Sequence, residues 1–137
     1  MSTRAQRLSL AALLLALGSL ALGIAAAVEA LAHHPGSHAR RDGAGFVRLE
    51  AVAAVPDGCT TIGAVEPGTP PGVGAPPNAA PVTVRLARPA GVPCTQAVGS
   101  VRRDAVLKVP AERSVLHLFV VGPDGRVASS ERVPIQP

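Results

Sequence analysis

The sequence predicts an all-β protein, a small antiparallel β-sandwich that follows an N-terminal hydrophobic helix. Three observations carry this. Short runs alternate apolar and polar residues with a period of two, as in Val82-Thr83-Val84-Arg85-Leu86. Pro and Gly, 14 of each, punctuate the chain between these runs. After residue 33 no segment sustains the i, i+3, i+4 apolar spacing of a surface helix.

The elements follow in order. Residues 33–45 (HHPGSHARRDGAG) are polar, Gly-containing and without periodicity, and read as a flexible tail or linker. In Phe46–Val55, Val47, Leu49 and Ala51 alternate with Arg48 and Glu50, the pattern of a half-buried strand. Pro56-Asp57-Gly58 ends it with turn chemistry, and a second short strand is expected over Thr60–Val65. Residues 66–81 hold six prolines. Each removes a backbone donor and fixes φ, so this stretch is expected to be a long, extended surface loop. Val82–Leu86 is the clearest alternating strand, and another is centred on Ala105–Val109. Ser114–Val121 is apolar on both faces except at His117, as a central strand covered on both sides would be. Gly122-Pro123-Asp124-Gly125 predicts a hairpin, with Pro123 presetting φ and Gly125 taking the left-handed conformation. Arg126–Val133 returns as a more polar strand, expected at a sheet edge and stopped by Pro134. Six or seven short strands in one domain, residues 46–137, suggest a sandwich immunoglobulin-like in outline. The chain has no Trp or Tyr, so the buried Trp and tyrosine corner of immunoglobulin domains cannot be built.

The first 32 residues set the expected compartment. Arg4 and Arg7 precede an apolar run, Leu8–Val28, and Ala30-Leu31-Ala32 offers a small-x-small cleavage site. This is the layout of a secretory signal peptide. The run is also long enough to span a bilayer, so a retained signal-anchor is the alternative. Its Ala, Gly and Ser content and its lack of flanking Trp or Tyr favour cleavage. Both readings place the following domain outside the cytoplasm, periplasmic or secreted, or membrane-anchored with the domain outside. A membrane association is expected only if Leu8–Val28 is retained.

In that compartment Cys59 and Cys94, the only cysteines, read as a disulfide. Closing a loop of about 35 residues contributes about 3–4 kcal/mol on a chain-entropy basis. Such a staple suits a small domain whose only aromatics are Phe46 and Phe119. His33, His34 and His38 form a cluster able to ligate Cu(II), Ni(II) or Zn(II) outside the cytoplasm. A solvated tail is the simpler reading, because a bound metal must offset the ordering entropy of a flexible segment. His117, alone among apolar neighbours, is expected to be a packed, hydrogen-bonded core residue.

The net charge is +4, and the arginines are spread along the chain with acidic residues between them. With no clustered basic stripe and almost no aromatics to stack on bases, nucleic acid is not an expected partner. There is no Gly-x-Ser-x-Gly elbow, and Gly72-Val73-Gly74 lies in a Pro-rich loop, not between a strand and a helix. No catalytic residues and no cofactor are therefore expected. The sequence reads as an exported, non-catalytic binding or accessory domain of the cell envelope, whose partner is another envelope protein. The alternatives are an extracytoplasmic metal-binding accessory that uses the histidine tail, and a single-pass accessory subunit of a membrane complex.

Overall fold

The structure is a computed structural model that describes residues 36–43 and 45–137. The predicted signal or anchor segment and His33 and His34 lie outside the described residues. The described chain contains seven strands and no helix. The strands are β1 (His38–Asp42), β2 (Phe46–Val55), β3 (Thr61–Pro67), β4 (Ala80–Ala87), β5 (Gly99–Lys108), β6 (Val115–Val121) and β7 (Val127–Gln136). They join in the order β3-β4-β6-β7-β1-β2-β5. Neighbours are antiparallel except β4 with β6 and β1 with β7. The edge strands β3 and β5 approach each other, which makes this a nearly closed, barrel-like sheet.

Alternation decides which side chains fill it. Val47, Leu49, Ala51, Ala53 and Val55 all point inward from β2 and are buried. They meet Val82, Val84 and Leu86 of β4 and Leu116, Leu118 and Val120 of β6. Ala39, Ile62, Leu107 and Val133 add one residue each from the remaining strands. Neither phenylalanine belongs to this core. Phe46 is 44% exposed, and Phe119 is buried but stands on the other face of β6 from Leu118 and Val120. The interior is thus wholly aliphatic, and each fully buried Val, Leu or Ile contributes about 1.5–3 kcal/mol.

The all-β expectation holds, and the strands expected near 46–55, 60–65, 82–86, 105–109 and 114–121 are present. Four details differ. The pairing links all strands into one sheet and does not show the two separate facing sheets of a sandwich. Part of the expected tail is β1, where Ala39 is buried and His38–Asp42 pairs with Phe46–Glu50. One inward alanine in five residues is too weak a pattern to announce a strand. The Pro-rich loop is shorter than 66–81, because β3 runs through Pro67 and β4 begins at Ala80.

Finally, β7 is not an edge. It pairs with β6 along most of its length and with β1 at Ala39↔Ile135 and Arg40↔Gln136. Pro134 is tolerated within it for a geometric reason. The Ile135 amide donates toward β6, to the Ser114 carbonyl (2.8 Å), so the position before it faces the β1 side. Pairing with β1 begins only at Ile135, and no donor is lost there. The β6–β7 hairpin forms as expected. The Gly125 amide donates to the Gly122 carbonyl (3.0 Å), Gly125 has φ 81°, and the β6–β7 register shifts beside the turn, between Val120↔Ser129 and Val121↔Val127.

The gap between β3 and β5 is closed by side chains and loops. Arg103 of β5 donates from Nη1 to the carbonyls of Ile62 (2.9 Å) and Gly63 (2.6 Å), at the bulge of β3. An inward-leaning arginine satisfies the edge carbonyls that would otherwise invite another strand. Gly63 eases the packing at this bulge, since a Cβ there would lie 3.0 Å from that of Ala87, a tight contact. Beyond the strand ends, loops 56–60 and 88–98 are clamped together. Cys59 and Cys94 form a disulfide with Cα atoms 5.6 Å apart. The Gly58 amide donates to the Thr95 carbonyl (2.9 Å), and Arg88 Nε lies 3.6 Å from Asp57 Oδ2. Asp57 also organises its own turn by accepting from the amides of Cys59 (2.9 Å) and Thr60 (2.8 Å) and from the Thr60 hydroxyl (2.9 Å).

Two outcomes follow for stability. Replacing both cysteines by serine should lower unfolding free energy by about 3–4 kcal/mol in a denaturant titration, the chain-entropy value for this loop. The Asp57 carboxyl is held below the ordinary value, chiefly by the Cys59 amide, with Thr60 and Arg88 adding to this and burial opposing it. A carboxylate with a depressed folded-state pKa stabilises above its unfolded pKa and loses that contribution as pH falls through the folded one. Melting temperature should therefore drop on acidification below the ordinary carboxylate range, and the drop should be smaller in Asp57→Ala than in the wild type.

Candidate functional site

The outer face of β1, β2 and β5 carries a set of charged side chains that share one surface. Period-two alternation points Arg40, Arg48, Glu50 and Asp104 outward, while Ala39, Val47, Leu49 and Leu107 point into the core. Register then sets their neighbours. Arg40 lies directly opposite Arg48, and His38 opposite Glu50, which in turn lies opposite Asp104. A basic row therefore runs beside an acidic row. Between and around them is a groove of about 300 Å³, lined by His38, Arg40, Arg48, Glu50, Asp104 and Gln136.

Two of these charges are already paired. Arg48 Nη2 lies 3.3 Å from Asp42 Oδ2, and Arg102 Nη1 lies 3.6 Å from Glu50 Oε1. Both pairs are solvent-exposed and of small energetic weight. Arg40 and Asp104 make no ion pair among the described residues.

The neighbouring Arg41 is different in kind. Its guanidinium donates to the carbonyls of Val109 (3.2 Å), Pro110 (3.4 Å) and Arg113 (2.7 Å). It thereby holds the β5–β6 connection against the end of the barrel. Arg41 and Arg103 are structural arginines, and only geometry separates them from Arg40 and Arg102, which precede them in sequence.

The residues singled out by sequence fall in three places. Cys59 and Cys94 are joined, as expected. Of the histidine cluster only His38 is described; it is exposed on β1 opposite Glu50, while His33 and His34 lie outside the described residues. Among the described residues no three His, Cys, Asp or Glu side chains are arranged to hold a metal ion. His117 is half-buried on the outer face of β6 and outside the core cluster, contrary to expectation. It stacks on Phe119 with ring centroids 4.5 Å apart, and its Nδ1 is buried without a hydrogen-bond partner among the described residues.

The remaining distinctive surface is the β3–β4 connection, residues 68–79. Its base is fixed, since the Gly68 amide donates to the Pro81 carbonyl (2.9 Å) and Thr83 Oγ1 donates to the Gly68 carbonyl (2.8 Å). Pro70 and Ala79 are buried, whereas Pro71, Gly72, Gly74, Ala75, Pro77 and Asn78 are exposed. The connection is therefore a short proline-rich arch with an anchored base and an open crest.

Register alone creates the charged groove, so it leaves no signature in the linear sequence. Arg40 and Asp104 are 64 positions apart in the chain, and only the pairing of β1 and β5 on either side of β2 brings them to one face. Comparison with known protein families, with characterised proteins and with solved structures finds no match to this chain.

Proposed function

We propose that the chain is an exported, non-catalytic β-domain that works by binding, as an accessory protein of the cell envelope. The disulfide supports this reading most. Cys59 and Cys94 come together across the two loops that flank the β3–β5 gap, which is the use an oxidising compartment permits. It accords with the signal-like Arg4, Arg7, Leu8–Val28 and Ala30-Leu31-Ala32 at the N-terminus.

The surface offered for a protein partner is the crest of the 68–79 arch. Proline limits the conformations of the unbound loop, so little entropy is lost on docking. The anchored base at Gly68, Pro81 and Thr83 adds to that preorganisation.

One experiment addresses export and binding together. Full-length protein carrying a C-terminal affinity tag is expressed in its host, fractionated, and recovered beside a variant whose residues 71–78 are replaced by Asn-Gly. Wild type should be recovered outside the cytoplasm, oxidised at both cysteines and accompanied by a co-purifying envelope protein. The variant should be recovered equally folded without that protein. Recovery from the cytoplasm with two free thiols contradicts export, and an unchanged partner profile in the variant contradicts the role of the arch.

A further inference from the structure

We propose that the groove on the outer face of β1, β2 and β5 binds a short zwitterionic peptide. Its carboxylate lies between Arg40 and Arg48, and its ammonium lies toward Glu50 and Asp104. This site is separate from the 68–79 arch and does not depend on it.

The first reason is electrostatic. Like charges directly opposite each other on neighbouring strands destabilise a sheet, and this face places two such pairs in consecutive rows, Arg40 with Arg48 and Glu50 with Asp104. Intramolecular pairing relieves only one member of each, through Asp42 on Arg48 and Arg102 on Glu50. Arg40 at one corner of the groove and Asp104 at the other are left without an ion-pair partner among the described residues. A carboxylate held by the two arginines gains charge-assisted hydrogen bonds from both, and an ammonium at the acidic pair does the same.

The sign pattern selects the ligand class. A multiply charged anion would meet Glu50 and Asp104 in the same groove, and a polycation would meet Arg40 and Arg48. A molecule with one charge of each sign at its two ends meets neither penalty. Dimensions select its length. Adjacent strands are about 5 Å apart and like-facing residues on one strand about 7 Å apart, so Arg40 and Asp104 are offset by two strands and one repeat. An extended three-residue peptide spans about 10 Å, which bridges that offset once the side chains reach inward. The groove, about 300 Å³, is of the size such a peptide needs. His38 and Gln136 line its β1 side and supply polar partners for peptide amides, while Val106, 60% exposed and opposite Arg48, provides an apolar flank.

Calorimetric titration of the full-length protein with trialanine, N-acetyl-trialanine and trialanine amide tests this, using wild type, Arg40→Gln and Asp104→Asn. Both substitutions are at exposed positions, and a matching thermal melt confirms that each variant is folded. Trialanine should bind wild type with a Kd of about 1 mM or tighter. Acetylation and amidation should each weaken it about tenfold. Arg40→Gln, which leaves only the Asp42-paired Arg48 beside the carboxylate, should reduce the penalty for amidation and keep that for acetylation, and Asp104→Asn, which leaves only the Arg102-paired Glu50, should do the reverse. Absence of binding by trialanine, equal binding of the capped and free peptides, or variants that weaken all three peptides alike would each overturn the proposal.

Discussion

Closure of the sheet depends on what happens between β3 and β5. Those two strands end the hydrogen-bonded order, and no backbone ladder joins them. The gap is held by two devices of different chemistry. Within the strands, Arg103 places one guanidinium nitrogen against two carbonyls of the β3 bulge. Beyond the strand ends, the disulfide, the Gly58–Thr95 bond and the Asp57–Arg88 ion pair fasten the flanking loops to each other. These contacts fasten the two edges to each other and satisfy the carbonyls of Ile62 and Gly63, and they keep the inward faces of β2 and β4 in one core.

That core explains why the fastening matters. Its contributors are Val, Leu, Ile and Ala from all seven strands, with no aromatic ring among them. Aliphatic side chains interdigitate well, but each brings less buried area than a Phe or Trp would. A small domain built this way has little surplus stability, so a covalent constraint on the unfolded chain carries unusual weight. The glycines at the joints belong to the same economy of space. Gly63 lets β3 approach Ala87, and a Cβ on Gly58 would collide with Thr95 Oγ1.

Local pattern was legible in the chain wherever several alternating residues shared one environment. The run Phe46–Val55 reads as a strand because five inward positions are apolar, and Gly122–Gly125 reads as a turn because Pro123 and Gly125 suit specific backbone angles. What could not be read is what depends on partners distant in sequence. β1 has one buried alanine, and it is a strand because β2 and β7 lie on either side of it. β7 looks like an edge by its polarity, since Ala128, Ser129 and Ser130 are exposed, yet it joins the two parts of the sheet. The same limit hid the charged groove: a cross-strand pair of arginines beside a pair of carboxylates is a property of register. Arg41 and Arg103 show the converse, as each looks like a solvated surface charge in sequence and serves the backbone in the fold.

If the β3–β5 gap is held as described, opening should begin there. Amide hydrogen exchange of the oxidised protein, the reduced protein and Arg103→Gln measures this most directly. Reduction and Arg103→Gln should each speed exchange in β3 and in the N-terminal half of β5, while the central amides of β2 and β6 keep their protection. Uniform acceleration across all seven strands, or loss of protection in β6 before β3, would contradict it.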